Sequence, residues 1–590
     1  MKSRIREFER SALSLLFAKN FGFVVIAVLA ALLSSCSSDE SNIEELQQPV
    51  NEQPQVYTMT IEANKGGDNA DSRSTRALSL SGKTLNATWA EDEIVKVYQS
   101  GSEIGELTAA ASETTSTTLT GTFASAPSTE AALTFYFHTA ADPSYTGQDG
   151  TLETIASSYD FCEPATVTTG NFTVNETTKK ITIPDGISFG ANQQAIVKFT
   201  LKDHADVEFN ATQLTVSDGN NTYTVTPASA TSEFFVALPG FSNQMVTLTA
   251  TDGTNNVTYE KDGVTFTNGQ YYEIGVKMTY LISTLAQWNS FAAKVNGGQS
   301  AIRAKQTANI SGVTTVVGNS ESNPFKGSYN GQGYTISNVN ISGTTNVGLF
   351  GCVNDASSVI ENVVVASGKV YGSSQNVGAV VGQLNSGTVT HCANYAEVES
   401  GYKGNARLGG IVGWMRARNN TNLNYGGDDN HVEYCINYGY IHAQNYVGGI
   451  VGTFGAGTLT YCQNYGLIEV TGDYAAGGIA GWQYSSSYVP ANNHNGGNIT
   501  TSSSNSTSDT NRYIISNRNT NKSNYSSNSY LTSLTATIAG TAYTGDSLAQ
   551  FAPVSIGPKA LTSNPAGITI SGTTYSYNTP APAESQGQDK

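Results

Sequence analysis

The sequence predicts an all-β chain: β-sandwich structure, then a β-solenoid with one short capping helix. Three observations predict it. Five phrases of nearly the same glycine-aliphatic spelling end at Gly351 (NVGLFG), Gly382 (VGAVVG), Gly413 (LGGIVG), Gly452 (VGGIVG) and Gly481 (AGGIAG). Their spacings of 31, 31, 39 and 29 residues are those of stacked coils, each burying its apolar face on the next. Before residue 280 the apolar residues fall in short groups between turn signals, with almost no helical period. One window alone, Leu285 to Val295, has helical spacing.

The first element is an export signal. Lys2, Arg4, Arg6, Arg10 and Lys19 precede or flank an apolar run of 13 residues, Phe21 to Leu33. A membrane-spanning helix needs roughly 18 or more such residues, whereas a secretory h-region needs fewer. The run ends in Leu33-Ser34-Ser35-Cys36, which resembles a bacterial lipobox, with Cys36 acylated before cleavage. The alternative is an ordinary signal peptide with an incidental cysteine. Ser37-Ser38-Asp39-Glu40 resembles the acidic export tag of Bacteroidota surface lipoproteins. The expected organisation is a signal peptide over 1–35 and a polar tether over 36–54. Acyl chains on Cys36 then hold the protein at the outer membrane, exposed at the cell surface.

Charge narrows the partners. Residues 1–35 carry five basic and two acidic side chains, so their removal takes the formal charge from −17 to −20 and leaves 555 of 590 residues. Such a chain repels nucleic acid and anionic headgroups, and neither is an expected partner. Charged residues are 13% of the chain, against about 25% in typical globular proteins. Thr, Ser, Asn, Gly and Tyr fill the gap. Six cysteines are too few for a disulfide scaffold at this length.

The strands come next. From Val56 to Ala63, Tyr57, Met59, Ile61 and Ala63 share one face while Thr58, Thr60 and Glu62 share the other, the pattern of a half-buried strand. Trp89, Ile94 to Tyr98, Thr114 to Phe123 and Leu133 to Phe137 continue at sandwich density. With the lipobox, three further stretches resemble the fimbrillin family of Bacteroidota surface proteins: Thr75-Arg76-Ala77, Trp89-Ala90-Glu91-Asp92-Glu93-Ile94 and Tyr159-Asp160-Phe161. The second is one residue shorter than the family's Trp-x-x-Gly-Asp-x-Ile stretch and has Glu91 where Gly is usual. The resemblance covers about residues 55–280 and implies two sandwiches, over 55–165 and 166–280. It also implies an Arg-directed cut at Arg76 that releases the first strand, so that a strand of another fimbrial subunit can enter. The other reading leaves Arg76 in an uncut loop of a permanently anchored protein.

Leu285, Trp288, Phe291, Ala292 and Val295 form the apolar face of the one helix, stopped at Asn296-Gly297-Gly298. Its place just before the repeats is that of a cap on the open end. Phe325 to Ile336 and the five glycine phrases resemble GLUG repeats, which implies a β-solenoid over about 281–490. Inside it, Val359-x-x-Asn362, Val389-x-x-Cys392, Val432-x-x-Cys435 and Leu459-x-x-Cys462 set a second register, followed by Asn394-Tyr395, Asn437-Tyr438 and Asn464-Tyr465. Coils about 4.8 Å apart bring like side chains together as ladders. An insertion near Asn419 to Asn430 is expected as a flank loop. Residues 491–529 read as a Ser/Asn/Thr-rich linker, and 530–590 as a C-terminal β segment with a free tail from Pro580.

Candidate sites are few. No catalytic residue, metal or cofactor is expected. Gly186-x-Ser188-x-Gly190 has the spelling of a nucleophile elbow but strand-like flanks, so a turn is expected. Cys392, Cys435 and Cys462 are close enough in register for a disulfide, yet parallel side chains favour buried thiols. His391 stands alone beside Cys392, without the ligand set of a zinc site. Asp428-Asp429 reads as a solvated loop. Trp414 and Trp482 each follow a coil-closing glycine; exposed, they would stack on sugar rings, and buried, they would fill the coil. Asp546-Ser547-Leu548 resembles a Bacteroidota O-glycosylation acceptor, with Ser547 as the site. The expected function is a non-enzymatic adhesin, a fimbrial tip or accessory subunit presenting the solenoid to a surface glycan or protein. Carbohydrate capture by solenoid aromatics is the alternative, and a polysaccharide-degrading β-helix ranks last.

Overall fold

The computed structural model describes residues 56–65, 79–81, 84–86, 89, 91–110, 116–137, 143–373, 375–416, 428–472, 476–484, 488–502, 512–516, 525–551 and 558–576. Cys36, Arg76, the signal, the tether, most of the flank insertion and the tail from Pro580 lie outside the described residues. The chain is all-β.

The first core is bounded by one hydrogen-bonded path of strands. Tyr57–Lys65 lies inside it, antiparallel to Ser116–Phe123 on one side and parallel to Lys180–Thr182 and Ile187–Phe189 on the other. Alternation puts Tyr57, Met59, Ile61 and Ala63 inward, all buried. Trp89 is buried with its ring centroid 5.9 Å from Phe137 and 6.1 Å from Phe189.

The two sequence-drawn domains interleave. Ala165–Val167 pairs with Leu133–Phe137, and Ile181, Ile187 and Phe189 belong to the first core. Tyr145, Ile155, Tyr159 and Phe161 belong to the second. Gln148 pins this earlier segment onto the second core: its Nε2 donates to the Ala237 carbonyl (2.8 Å) and its Oε1 accepts from the Ala237 N–H (2.7 Å). A border at 165/166 therefore falls inside a crossover, and the first core closes only near residue 190.

In the second core, antiparallel pairing gives way to parallel pairing along one strand. Tyr271–Ile282 is antiparallel to Asn256–Phe266, yet its Tyr280, Leu281 and Ile282 pair in parallel with Ala304, Lys305 and Gln306. Between them runs the helix Leu285–Asn296. The Thr284 hydroxyl caps it by accepting from Gln287 N–H (3.2 Å), while Gln287 Oε1 accepts from Ser283 N–H (2.8 Å). Trp288 and Phe291 bury against Tyr329, Phe325 and Phe350, with centroids 5.7 to 6.0 Å apart. The helix does cover the first repeat, and the edge beside it is occupied by Tyr271–Ile282 rather than left bare.

From Ser328 the chain visits four parallel sheets in fixed order. Ser328–Asn330, Thr335–Ser337, Val339–Gly343 and Asn346–Val347 make one circuit; Phe350–Glu361, Val364–Val365, Gly368–Gly372 and Asn376–Gly378 make the next. Each strand pairs in parallel with its counterpart one circuit earlier. The glycine phrases are the corner where backbones meet. A Cβ on Gly382, Gly413, Gly452 or Gly481 would stand 2.5 to 2.9 Å from the carbonyl oxygen of the equivalent glycine one circuit earlier. No side chain fits there.

Residues 491–529, expected as a linker, carry more of the same. His494–Asn495, Ile499–Thr501, Arg512–Tyr513 and Ser529–Leu531 each extend a parallel sheet. These strands are two or three residues long with few apolar side chains, so composition conceals them. The hairpin Ile568–Ile570 and Thr573–Tyr575 then folds back over Val364, Ala393 and Ile436.

Candidate functional site

Pairing of Ile360 with Val389, Val389 with Val432 and Val432 with Leu459 sets the register of the repeat. It moves one expected column by a residue: Ile360, not Val359, matches Val389, so Val363 stacks with the cysteines. Asn362 instead heads a column that continues through His391, Tyr434, Tyr461 and Asn492. All five have a left-handed backbone, with φ between 50° and 58°. Asparagine tolerates this conformation, whereas a bulky residue there is an outlier. Two tyrosines and a histidine each cost about 1–3 kcal/mol of local strain.

Their rings form a stack. His391 and Tyr434 lie 5.0 Å apart at 13°, and Tyr434 and Tyr461 lie 4.9 Å apart at 3°. Stacking returns about 0.5–1.5 kcal/mol per pair, less than the strain at the upper end of its range. The stack is also open to solvent, with Tyr434 38% and Tyr461 45% exposed.

A cleft of about 490 Å³ runs beside the stack, walled on the far side by Pro565 to Thr569 and floored by Gln463, Asn492, His494 and Ser529. The floor is held rigid by its own hydrogen bonds. His494 is bonded through Nδ1 to Ser529 Oγ (2.9 Å) and through Nε2 to Asn564 Oδ1 (3.1 Å), and Gln463 Nε2 donates to the Ala566 carbonyl (2.7 Å). Burial pushes the His494 imidazole down to about 4, so it is neutral at neutral pH. Among the described residues no Asp, Glu, Lys or Arg lines the cleft.

Ladders expected from the sequence stand behind it. Asn394, Asn437, Asn464 and Asn495 bond amide to amide, each at 2.9 Å. Tyr395, Tyr438 and Tyr465 stack at 4.6 and 5.5 Å, and the C-terminal hairpin packs on them, so this aromatic column fills structure. Cys392, Cys435 and Cys462 are free, buried thiols, and burial raises Cys392 and Cys462 well above the usual thiol range.

The other expected residues lie elsewhere in the circuits. Trp414 and Trp482 share one column with Thr453 between them, and both are half-buried. Arg407 and Arg416 guanidiniums lie 4.0 and 5.1 Å from the Trp414 ring centroid, and Tyr446 lies 5.4 Å from Trp482. Neither tryptophan lines the cleft. Ser547 is exposed, its hydroxyl bonded to Thr544 (2.6 Å to the carbonyl). Asp428 accepts from the Tyr488 hydroxyl. Ile187–Phe189 is a strand rather than the expected turn, and strand Ala195–Asp203 follows it, so Ser188 lacks the helix of a nucleophile elbow. Among the described residues no group of three or more His, Cys, Asp or Glu is placed to hold a metal ion. Among them, too, no helix is long and apolar enough to cross a membrane. The turn column had a visible sequence signal that the cysteine pattern overshadowed: an aromatic residue directly before Cys392, Cys435 and Cys462.

No family model matches the chain. Halomucin of Haloquadratum walsbyi is 31% identical over 221 residues, which are 35% of this chain and 2% of halomucin; the chain thus spans a small fraction of that relative. Among solved structures, a Bacteroides ovatus protein described as a "putative immunoglobulin A1 protease" is 19% identical, with a TM-score of 0.39 over 48% of this chain and 84% of that one. A fimbrial assembly protein from Parabacteroides distasonis is 11% identical, with a TM-score of 0.21 over 38% of this chain and 94% of that one. These scores are too low to establish a common fold.

Proposed function

We propose that this chain is a surface-displayed, non-enzymatic lipoprotein that acts in adhesion, as a fimbrial tip or accessory subunit. In this reading the four parallel sheets form a GLUG-type β-solenoid carried on two fimbrillin-like β-sandwiches. Cys36 is acylated and anchors the assembly in the outer membrane. The observation that carries the reading is the unbroken pairing from Tyr271–Ile282 into Arg303–Gln306 and on to Ala480–Gln483. A rigid stack joined to its base through shared backbone hydrogen bonds is suited to holding a surface at a distance. The central, half-buried strand Tyr57–Lys65 supports assembly by strand addition, because its removal would open a groove with bonding partners on both sides.

The test is metabolic labelling of cells with an alkynyl fatty acid, paired with protease shaving of intact cells. Wild-type protein should carry label and be shaved, and Cys36→Ala should lose the label and the membrane fraction. Unlabelled wild-type protein, or protein protected from shaving, would overturn the reading.

A further inference from the structure

We propose that the cleft beside His391, Tyr434 and Tyr461 binds an uncharged saccharide chain, with one pyranose ring stacked on the outer face of Tyr461. The inference rests on the surface-display reading and deepens it by naming the presented site and its ligand class.

Geometry selects Tyr461. Within the stack the facing ring surfaces are used by one another, at 4.9 and 5.0 Å. The ladder then ends, because the next residue of the column is Asn492, which has the same left-handed backbone (φ 58°) but no ring. A ring-sized ligand on Tyr461 would occupy the place of the missing rung. Tyr461 is also the more exposed tyrosine, at 45% against 38% for Tyr434. Two tyrosines in a conformation that favours asparagine, as used at Asn362 and Asn492, point from strain to function.

Chemistry selects the ligand. The cleft's volume, about 490 Å³, lies in the range of roughly 300–1,000 Å³ typical of small-ligand sites. Its wall is aromatic and apolar (Tyr434, Tyr461, Pro565, Ile568), and its floor is made of amides, a hydroxyl and a neutral imidazole. A charged ligand finds no counter-ion among the described lining residues. A pyranose offers an apolar C–H face to the tyrosine and hydroxyls to the rim. The acidic chain, at −17, repels polyanions, which sets aside nucleic acid strands as natural occupants.

The experiment uses detergent-solubilised full-length protein on an array of neutral and acidic oligosaccharides and aromatic peptides, followed by titration calorimetry with the best neutral glycan. Tyr461→Asn is the decisive variant: it removes the ring while placing at this φ a residue that favours it, so the fold is retained or stabilised. The expected result is binding of neutral glycans, weakened about tenfold or more by Tyr461→Asn. Trp414→Ala should bind within about threefold of wild type. Binding of only acidic glycans or only peptides, binding of nothing on the array, or an affinity indifferent to Tyr461→Asn would each overturn the proposal. Because purified protein is used, a negative result here leaves the fatty-acid labelling outcome untouched, and the reverse holds as well.

Discussion

At the scale of single residues, two kinds of position carry the architecture, and they differ in how they are written in the sequence. The coil-closing glycines are spelled openly. A methyl group at Gly413 would stand 2.5 Å from both the Gly382 carbonyl oxygen and the Val377 nitrogen, and backbone atoms on both sides cannot yield without breaking the parallel pairing. We expect Gly413→Ala to cost about 3 kcal/mol. Gly275→Ala is the control: its added Cβ meets nothing within 4 Å, and it should change stability by less than about 0.5 kcal/mol. Urea unfolding followed by far-UV circular dichroism separates the two, and equal midpoints would refute the steric account. The turn column is spelled obscurely. Asn362, His391, Tyr434, Tyr461 and Asn492 share a backbone conformation, not a side-chain type. Composition hides such a column: the aromatic residue before each ladder cysteine marks only three of its members, and the register between strands adds Asn362 and Asn492.

Among the elements, the strand Tyr57–Lys65 is the one whose loss has the clearest consequence. It makes eight residue pairs with Ser116–Phe123 and closes the core over Leu119 and Ile181, both fully buried. A variant lacking residues 56–76 should expose the amides of 116–123 to hydrogen exchange, and a peptide of residues 56–65 supplied in trans should restore their protection. Protection that survives the deletion would show that the strand is an accessory, and strand addition would lose its physical basis. This strand was legible from the sequence because its alternation is unbroken over Tyr57, Met59, Ile61 and Ala63. The helix was legible for the equivalent reason at period 3.6. By contrast, His494–Asn495 and Ile499–Thr501 were read as linker. A strand of two or three residues is too short to display a period, and Asn495 satisfies its amide within the ladder instead of advertising burial through an apolar side chain.

For the whole described chain, the interleaving of segments decides how it unfolds. The first core is a cluster of its own, drawn from residues 57 to 189. The second core runs without a break from Tyr145 through the circuits to Leu548, and the sheets on either side of residue 300 share Tyr280 to Ile282 as a common strand. Long repeat arrays often lose cooperativity where one interface is weaker than the rest. Here the junction between the antiparallel and parallel regions is bonded like the junctions between circuits, and Trp288 and Phe291 pack across it. Calorimetry should therefore show two transitions. Val97→Ala, in the first core, should lower one of them by several degrees and leave the other in place. Leu248→Ala, far from the circuits in sequence, and Val381→Ala, within them, should both lower the second, since each removes a fully buried side chain at a cost of about 1–5 kcal/mol. If Leu248→Ala and Val381→Ala instead move different peaks, the antiparallel base and the parallel stack unfold separately. The shared strand would then be a seam, and the stack would no longer be rigidly joined to its base.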